Sequence, residues 1–380
     1  MILGVPVAEI ISIGAGGGTL ARIDPLTGRL EVGPASAGAV PGPVCYDTGG
    51  SQPTVTDADL TLGYLNPDYF IGGRIKLNKP KAEEAIRTQI AAPLGLSVIE
   101  AAAGIRQIID AKMRDTIYGL VAARGLAISD YALLAFGGAG PTHAAGYAEG
   151  LPLKGVLMFP YSAAFSAFGA ATADYEHHYT RALNMVVPPV AADDKKIELG
   201  EQLNRVWADL EAQAREQMAR EGFDPERITL RFLAMIRYGR QLNDLVVTSP
   251  VRRIEGAADW DALIGAFEQL YDERYARAAR FPEAGYDIFE VGLVASAEKI
   301  KPKLVPQPLE DAPPPAGARK GERPAYFDGQ MVPAAVYELA NLRPGNVVPG
   351  PAIIEDPTTT FVVPPSKRVE IDQYFTLWLK

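Results

Sequence analysis

"LLAFGGAGPTHAAG", residues 133–146, decides how this chain is read. Its continuous apolar start suits a buried strand, three glycines end the strand, and a helical pattern opens behind them. In a strand, turn and helix of this kind, unpaired N–H groups and the positive end of the dipole can meet an anion or a flat base. Gly137, Gly138 and Gly140 then either let a nucleotide come within contact distance or simply allow a tight turn to pack. No GKS or GKT follows, so this is not a Walker A loop, and it is not GxGxxG either.

A second run, "SIGAGGGTLARID" at 12–24, places Gly14, Gly16, Gly17 and Gly18 between a strand-like start and a polar end. It fails the same two motif tests and is likewise a cradle or a turn. His143 stands three residues after Gly140, in the first turn of the expected helix, where the dipole favours a neutral imidazole. It could donate to a phosphate or a substrate carbonyl, or serve as a helix-start hydrogen-bonding group. In "QPTVTDADLTLGYL" (52–65), Asp57 and Asp59 could hold a hard cation such as Mg²⁺, while Asp57 as a helix cap would satisfy N–H groups instead. Asp174, Glu176, His177 and His178 in "ADYEHHYTRAL" are metal-ligand types without a metal-site spacing, and a solvated loop is expected there. Cys45 has no nearby histidine base and reads as a buried small hydrophobe.

Working outward, 380 residues exceed what one core usually serves, so two or three domains are expected. A net charge of −9 argues against nucleic-acid or anionic-membrane partners, which need a basic surface. The single cysteine excludes an intramolecular disulfide and fits a cytoplasmic protein. No targeting segment is visible: MILGVPVAEI is apolar but lacks a basic start and is too short to span a membrane.

"VVPPVAADDKK" from Val186 and "KPKLVPQPLEDAPPPAGARKGERP" from Lys301 break the chain into 1–188, 189–305 and 306–380. The first segment is α/β, with a long helix over 97–124 in which Ile105, Ile109, Met113, Ile117 and Val121 recur, capped by Ser97 and Glu100. The second reads as α+β, with helices over 197–221 and 260–278; Leu199, Leu203, Val206, Leu210, Ala214 and Met218 share one face of the first. The third is short β punctuated by Gly and Pro, a small β-rich domain after a linker.

Taken in series, these motifs resemble the hydantoinase A/5-oxoprolinase family. The likeness runs through "GRLEVGPASAGAVPGPVCYDTGGSQPTVTDADLTLGYL", "LLAFGGAGPTHA", "SAFGAATADYEHHYTR", "LYDERYARAARFPEAGYDIFEVGLVA" and "GPAIIEDPTTTFVVPP", essentially the whole chain. The family includes ATP-dependent hydantoinases and oxoprolinases and subunits of acetone and acetophenone carboxylases. The resemblance implies part of an actin/sugar-kinase/Hsp70-like ATPase fold, with Gly137, Gly138 and Gly140 against the nucleotide and Gly16, Gly17 and Gly18 near the phosphates or the substrate. It matches Asp57 to a family aspartate that orders the cleft or a cation. The family's DxGGT-like phosphate loops are missing, so ATP and Mg²⁺ are expected to need a partner polypeptide that supplies the N-terminal lobe. A hydantoinase B-like subunit is the other expected partner, and a cyclic amide or a ketone the expected substrate. The chain alone is not expected to turn over ATP, and an exposed hydrophobic surface is expected where the missing lobe docks. A non-catalytic assembly subunit is the reading of another class.

Overall fold

The computed structural model describes residues 10–242, 244–275 and 277–380. They form two compact units: one from the described residues up to Gly169 together with Lys303–Lys380, the other from Ala170–Pro302.

The first unit opens with a hairpin of β1 (Thr19–Ile23) and β2 (Leu30–Ser36). Helix α1 (Val55–Thr61) begins in a capping box: the Asp57 amide donates to Thr54 Oγ1 and the Thr54 amide to the Asp57 carboxylate. After α2 (Lys79–Ile86), α3 (Val98–Ala122) starts at the Ser97–Glu100 box that the sequence indicates. Along its apolar stripe Ile105 and Ile109 are buried, whereas Met113, Ile117 and Val121 are only half-covered. Strand β3 (Leu133–Ala135), α4 (Gly140–Tyr147) and β4 (Val156–Met158) follow, with β3 and β4 parallel, and a short helix spans Phe165–Thr172.

The second unit is an antiparallel sheet of β5 (Tyr175–Val187), β6 (Ile228–Tyr238), β7 (Leu245–Thr248) and β8 (Tyr286–Ala297), in the order β5-β8-β6-β7. Helices α5 (Asp193–Arg220) and α6 (Ala257–Tyr275) complete it. Leu203, Trp207, Leu210 and Met218 from α5 and Trp260 and Phe267 from α6 meet Phe232, Ile236 and Leu293 of the sheet in one core. The stretch expected as a solvated loop is β5 itself. Eleven register pairs with β8 claim it, because that strand supplies the backbone hydrogen bonds that a loop would leave to water, and this puts the unit's start near 170 rather than 189.

Nor does the C-terminal segment stand alone as a β-rich domain. Strands β9 (Arg319–Phe327), β10 (Gln330–Glu338), β12 (Ala352–Asp356) and β13 (Thr359–Val363) make one sheet, ordered β13-β12-β10-β9. Strands β11 (Val347–Pro349), β14 (Arg368–Ile371) and β15 (Leu377–Leu379) extend the sheet of β4 and β3, with β15 antiparallel to β4. Strands of three residues cannot bury their own faces; they share cores with the chain's first 160 residues. Phe361, Ile354 and Val348 pack with Ala135, Ala144 and Met158, and Ile353 and Val362 with Ile86, Ile105 and Ile109.

Candidate functional site

The glycine runs are drawn together within the first unit. Gly17 lies so close to α1 that a Cβ there would stand 2.6 Å from Thr56 Oγ1, and the Thr56 amide donates to the Gly17 carbonyl at 2.8 Å. What the run first approaches is therefore its own chain. The loop before α4 is pinned from the C-terminal sheet, where Thr359 Oγ1 donates to the Gly138 carbonyl (2.9 Å) and Thr142 Oγ1 to the Thr360 carbonyl (2.9 Å). A cavity of about 300 Å³ results, walled by Gly17, Gly18, Gly138 and Ala139 and by the turn Asp356–Thr360. Gly138 lines it, and a Cβ there would meet nothing nearer than the Thr358 carbonyl, 3.8 Å away. Gly16 and Gly140 line a different groove, and Gly137, at φ +87°, lies in the turn between β3 and α4.

Asp59 lines this cavity and leads into a buried network. Arg106 Nη1 donates to its Oδ1 at 2.7 Å, and His143 Nε2 meets its Oδ2 at 3.0 Å. His143 Nδ1 lies 2.6 Å from Asp110 Oδ1, Arg106 Nη2 donates to the Thr142 carbonyl at 2.6 Å, and the guanidinium lies 4.3 Å from the centre of the Tyr64 ring. Two carboxylates and two cations sum to zero charge. Burial works against the Asp59 carboxylate, but the His143 and Arg106 cations outweigh it and hold the group below its usual range. Burial likewise disfavours the His143 imidazolium, yet Asp59 and Asp110 raise its pKa to about 9. The neutral imidazole expected from the helix dipole is therefore corrected: about half a charge at a helix end is outweighed by two full carboxylates in hydrogen-bond contact. Gly146 makes the contact possible, since a Cβ at that position would fall on the Asp110 carboxylate.

Asp57, two residues from Asp59, turns to other partners. It is fully buried, and its oxygens accept from the amides of Val44 (3.1 Å), Cys45 (2.7 Å) and Thr54 (2.8 Å) and from Thr54 Oγ1 (2.8 Å). Four donors fill its lone pairs, so the cap is the role its geometry supports, and the joint cation site with Asp59 is not assembled. Burial and the Asp57 carboxylate push the Cys45 thiol well above its ordinary range, consistent with a small buried hydrophobe. On β5, His177 pairs with Glu221 (2.7 Å) and His178 with Glu176 (3.4 Å), adjacent residues on opposite faces of a strand. Among the described residues, no group of three or more His, Cys, Asp or Glu side chains is placed to hold a metal ion.

Sequence reasoning missed Arg106 and Asp110, whose signal was two charges at i, i+4 beside the apolar stripe of α3. It also missed the Asp356–Thr360 turn and Glu355, which is paired with Arg323 (2.7 Å) and Lys320 (2.6 Å). Asp59, Glu355 and Asp356 line the cavity, and among the described residues no lysine or arginine does. A second, apolar groove of about 370 Å³ runs between the stripe of α3, lined by the buried Ile109 and the half-covered Met113 and Ile117, and β3, which is an edge strand. Leu134 and Phe136 on that edge are 45 % and 46 % exposed. No single helix among the described residues is long and apolar enough to cross a membrane.

Two glycine loops and a turn of the C-terminal sheet close on one cavity, beside a buried charged quartet, in a mixed α/β protein of several sheets. The hydantoinase/oxoprolinase family profile matches residues 1–179, and that of the hydantoinase/oxoprolinase C-terminal domain matches 190–380. The chain belongs to the hydantoinase/oxoprolinase family. It is 39 % identical to the acetone carboxylase beta subunit of Xanthobacter autotrophicus over 373 residues, 98 % of this chain and 52 % of that protein. A nucleotide-free structure of an ATP-dependent acetone carboxylase superposes with a TM-score of 0.86 at 38 % identity, over 96 % of this chain and 52 % of that one. The ATP-dependent caprolactamase of Pseudomonas jessenii superposes with a TM-score of 0.81 at 33 % identity, over 100 % and 54 %. The chain spans about half the length of the curated relatives it matches.

Proposed function

We propose that the chain is one part of an ATP-dependent enzyme of the hydantoinase/oxoprolinase type, which activates a cyclic amide by phosphorylation for ring opening. The observation that carries this is the cavity on which the two glycine loops, more than a hundred residues apart, converge. Its backbone fits one side of an anionic cofactor: Gly138 lines it with nothing nearer than 3.8 Å to its Cβ position, and α4 begins beside it. Its side chains do not supply the cations or the metal ligands that a triphosphate needs, since Asp59 is spoken for by Arg106 and His143 and Asp57 by backbone amides. In this reading Gly16, Gly17, Gly18, Gly137, Gly138 and Gly140 belong to half of an actin-like ATPase cleft, and a partner lobe brings the phosphate loops and the Mg²⁺ ligands. The apolar groove beside β3 is the surface such a lobe would cover. ATP, when bound, supplies the chemistry that turns a carbonyl oxygen into a good leaving group. This chain positions: the charged quartet fixes α1, α3 and α4 against one another and so holds the walls of the cavity.

A second substrate class, a ketone for carboxylation, is favoured by the 39 % identity to the acetone carboxylase subunit, against 34 % to the caprolactamase alpha subunit. One experiment separates these readings. The tagged chain is recovered from its native lysate with its partners, including any hydantoinase B-like subunit, and ATP hydrolysis is measured with cyclic amides and ketones. Stimulation by a cyclic amide supports the first reading, and bicarbonate-dependent stimulation by a ketone supports the second. A stable complex that hydrolyses no ATP with any of them leaves a non-catalytic assembly subunit.

A further inference from the structure

The loop Asn66–Gly73 forms the cavity wall facing the glycine runs and contains a conformation its sequence does not favour. Ile71 has φ +50°, in the left-handed region that β-branched residues avoid, although Gly72 (+63°) and Gly73 (+82°) beside it adopt the same region freely. The loop is held on several sides. Tyr69 donates to Glu338 (3.1 Å) under the Lys320 ammonium, Phe70 packs on Tyr46 with ring centroids 5.5 Å apart, the Leu77 amide donates to the Pro67 carbonyl (2.8 Å), and Gly72 abuts Pro357. A strained residue that its surroundings over-determine, at the rim of a cavity, points to a use for its side chain, because glycine or asparagine would make the same turn without strain. Ile71 lines the cavity and is 41 % exposed, so its branched side chain is offered to whatever enters.

The lining is mixed: Tyr46, Leu65, Phe70 and Ile71 bring aromatic and aliphatic surface, and Thr56, Thr142 and the glycine loops bring polar groups. Of the lining carboxylates, Asp59 is paired with Arg106 and His143 and Glu355 with Arg323 and Lys320, so their charge is compensated and the apolar part of the lining is left to an uncharged group. About 300 Å³ suits a small molecule with a hydrocarbon body and one uncharged polar group. Resting on the function proposed above, we infer that Ile71 is a specificity-determining residue. It packs against the hydrocarbon part of an uncharged carbonyl substrate, a lactam ring or the alkyl or aryl group of a ketone, whose carbonyl faces the glycine loops.

The test compares wild type with Ile71→Gly and Ile71→Asn in the recovered complex. Thermal unfolding is measured first, then ATP hydrolysis stimulated by paired substrates differing in hydrocarbon size: 2-pyrrolidinone and ε-caprolactam, acetone and acetophenone. Both substitutions relieve the left-handed conformation, so Tm is expected unchanged or higher, while KM for the larger member of the stimulating pair rises about tenfold with kcat little changed. The smaller member should move less. A residue serving only the turn would raise Tm and leave both KM values alone, and that result overturns the inference while leaving the proposed function standing. If no carbonyl compound stimulates ATP hydrolysis by wild type, the proposed function falls and takes this inference with it. A Gly138→Leu variant is the positive control for occupancy, since Gly138 lines the same cavity and a bulky side chain there should raise KM for both members.

Discussion

The two units of this protein bury very different things. In Ala170–Pro302 the core is aliphatic and aromatic, from Leu203 and Trp207 to Trp260, Phe267 and Ile288, and no charged side chain is buried there among the described residues. In the other unit the interior holds Asp57, Asp59, Arg106, Asp110, His143 and Glu355. Buried charge is costly unless paired, and packed hydrocarbon is not, so the first unit bears a cost that the second avoids. The charges gather around the cavity and its supporting sheet. The difference separates a unit with an apolar core from the unit that contains the cavity proposed to hold a ligand.

Four measurements sharpen or break that comparison. Arg106→Ala should have the largest effect: it strands Asp59 and Asp110 beside one remaining cation, and breaking a buried pair costs about 3–5 kcal/mol. Hydrogen exchange should show that loss around α1, α3 and α4 and leave β5–β8 protected; equal deprotection of both units would make the charged quartet incidental. In the apolar unit Leu203→Ala should cost about 2–5 kcal/mol through a cavity, with the effect confined to Ala170–Pro302.

The pH dependence should also divide. His143, raised to about 9 from 6.5, contributes stability that is fully present below about pH 6.5 and is lost as pH rises through 9. Asp59, held below its ordinary 3.8, contributes stability present above that value and lost as pH falls below it. Urea melts followed by exchange at pH 7 and pH 10 should therefore show the cavity-containing unit weakened by up to ~3 kcal/mol at the higher pH, an effect that His143→Gln removes. The smallest effect is expected at Tyr238, whose hydroxyl is buried without a hydrogen-bond partner among the described residues. Tyr238→Phe should change stability by less than about 0.5 kcal/mol or raise it slightly, because nothing is left unpaired. A larger loss would reveal a polar interaction in the unit taken to be apolar.

Several elements were legible because their signals are local. The Ser97–Glu100 box sets the start of α3, the four-residue recurrence from Leu199 to Met218 marks α5, and "LLAFGGAGPTHA" gives strand, turn and helix in order. The face of α5 was read with Val206 and without Trp207, although Trp207 stands four residues after Leu203 and three before Leu210 on the same face; the structure buries Trp207 and only half-covers Val206. Reading "ADYEHHYTRAL" as a loop failed because the residues that make it a strand lie more than a hundred positions away in β8. The Pro-rich break after Lys301 looked like a domain boundary, yet β15 beyond it pairs with β4 and completes the sheet that carries the glycine turn.

By itself the sequence determined the helices and their caps, the glycine turn before α4, the capping role open to Asp57 and, through ordered motifs, the family. These depend on neighbours within a few residues, or on many short matches in fixed order. Only the tertiary structure decided which glycines face the cavity, that Asp59 rather than Asp57 lines it, that His143 meets two carboxylates which favour its protonated form, and that the C-terminal strands complete the wall. The physical reason is the same in each case. A charge state and a cavity are set by groups brought within about 3–4 Å across long loops, and Coulomb and packing energies depend on that distance rather than on separation along the chain.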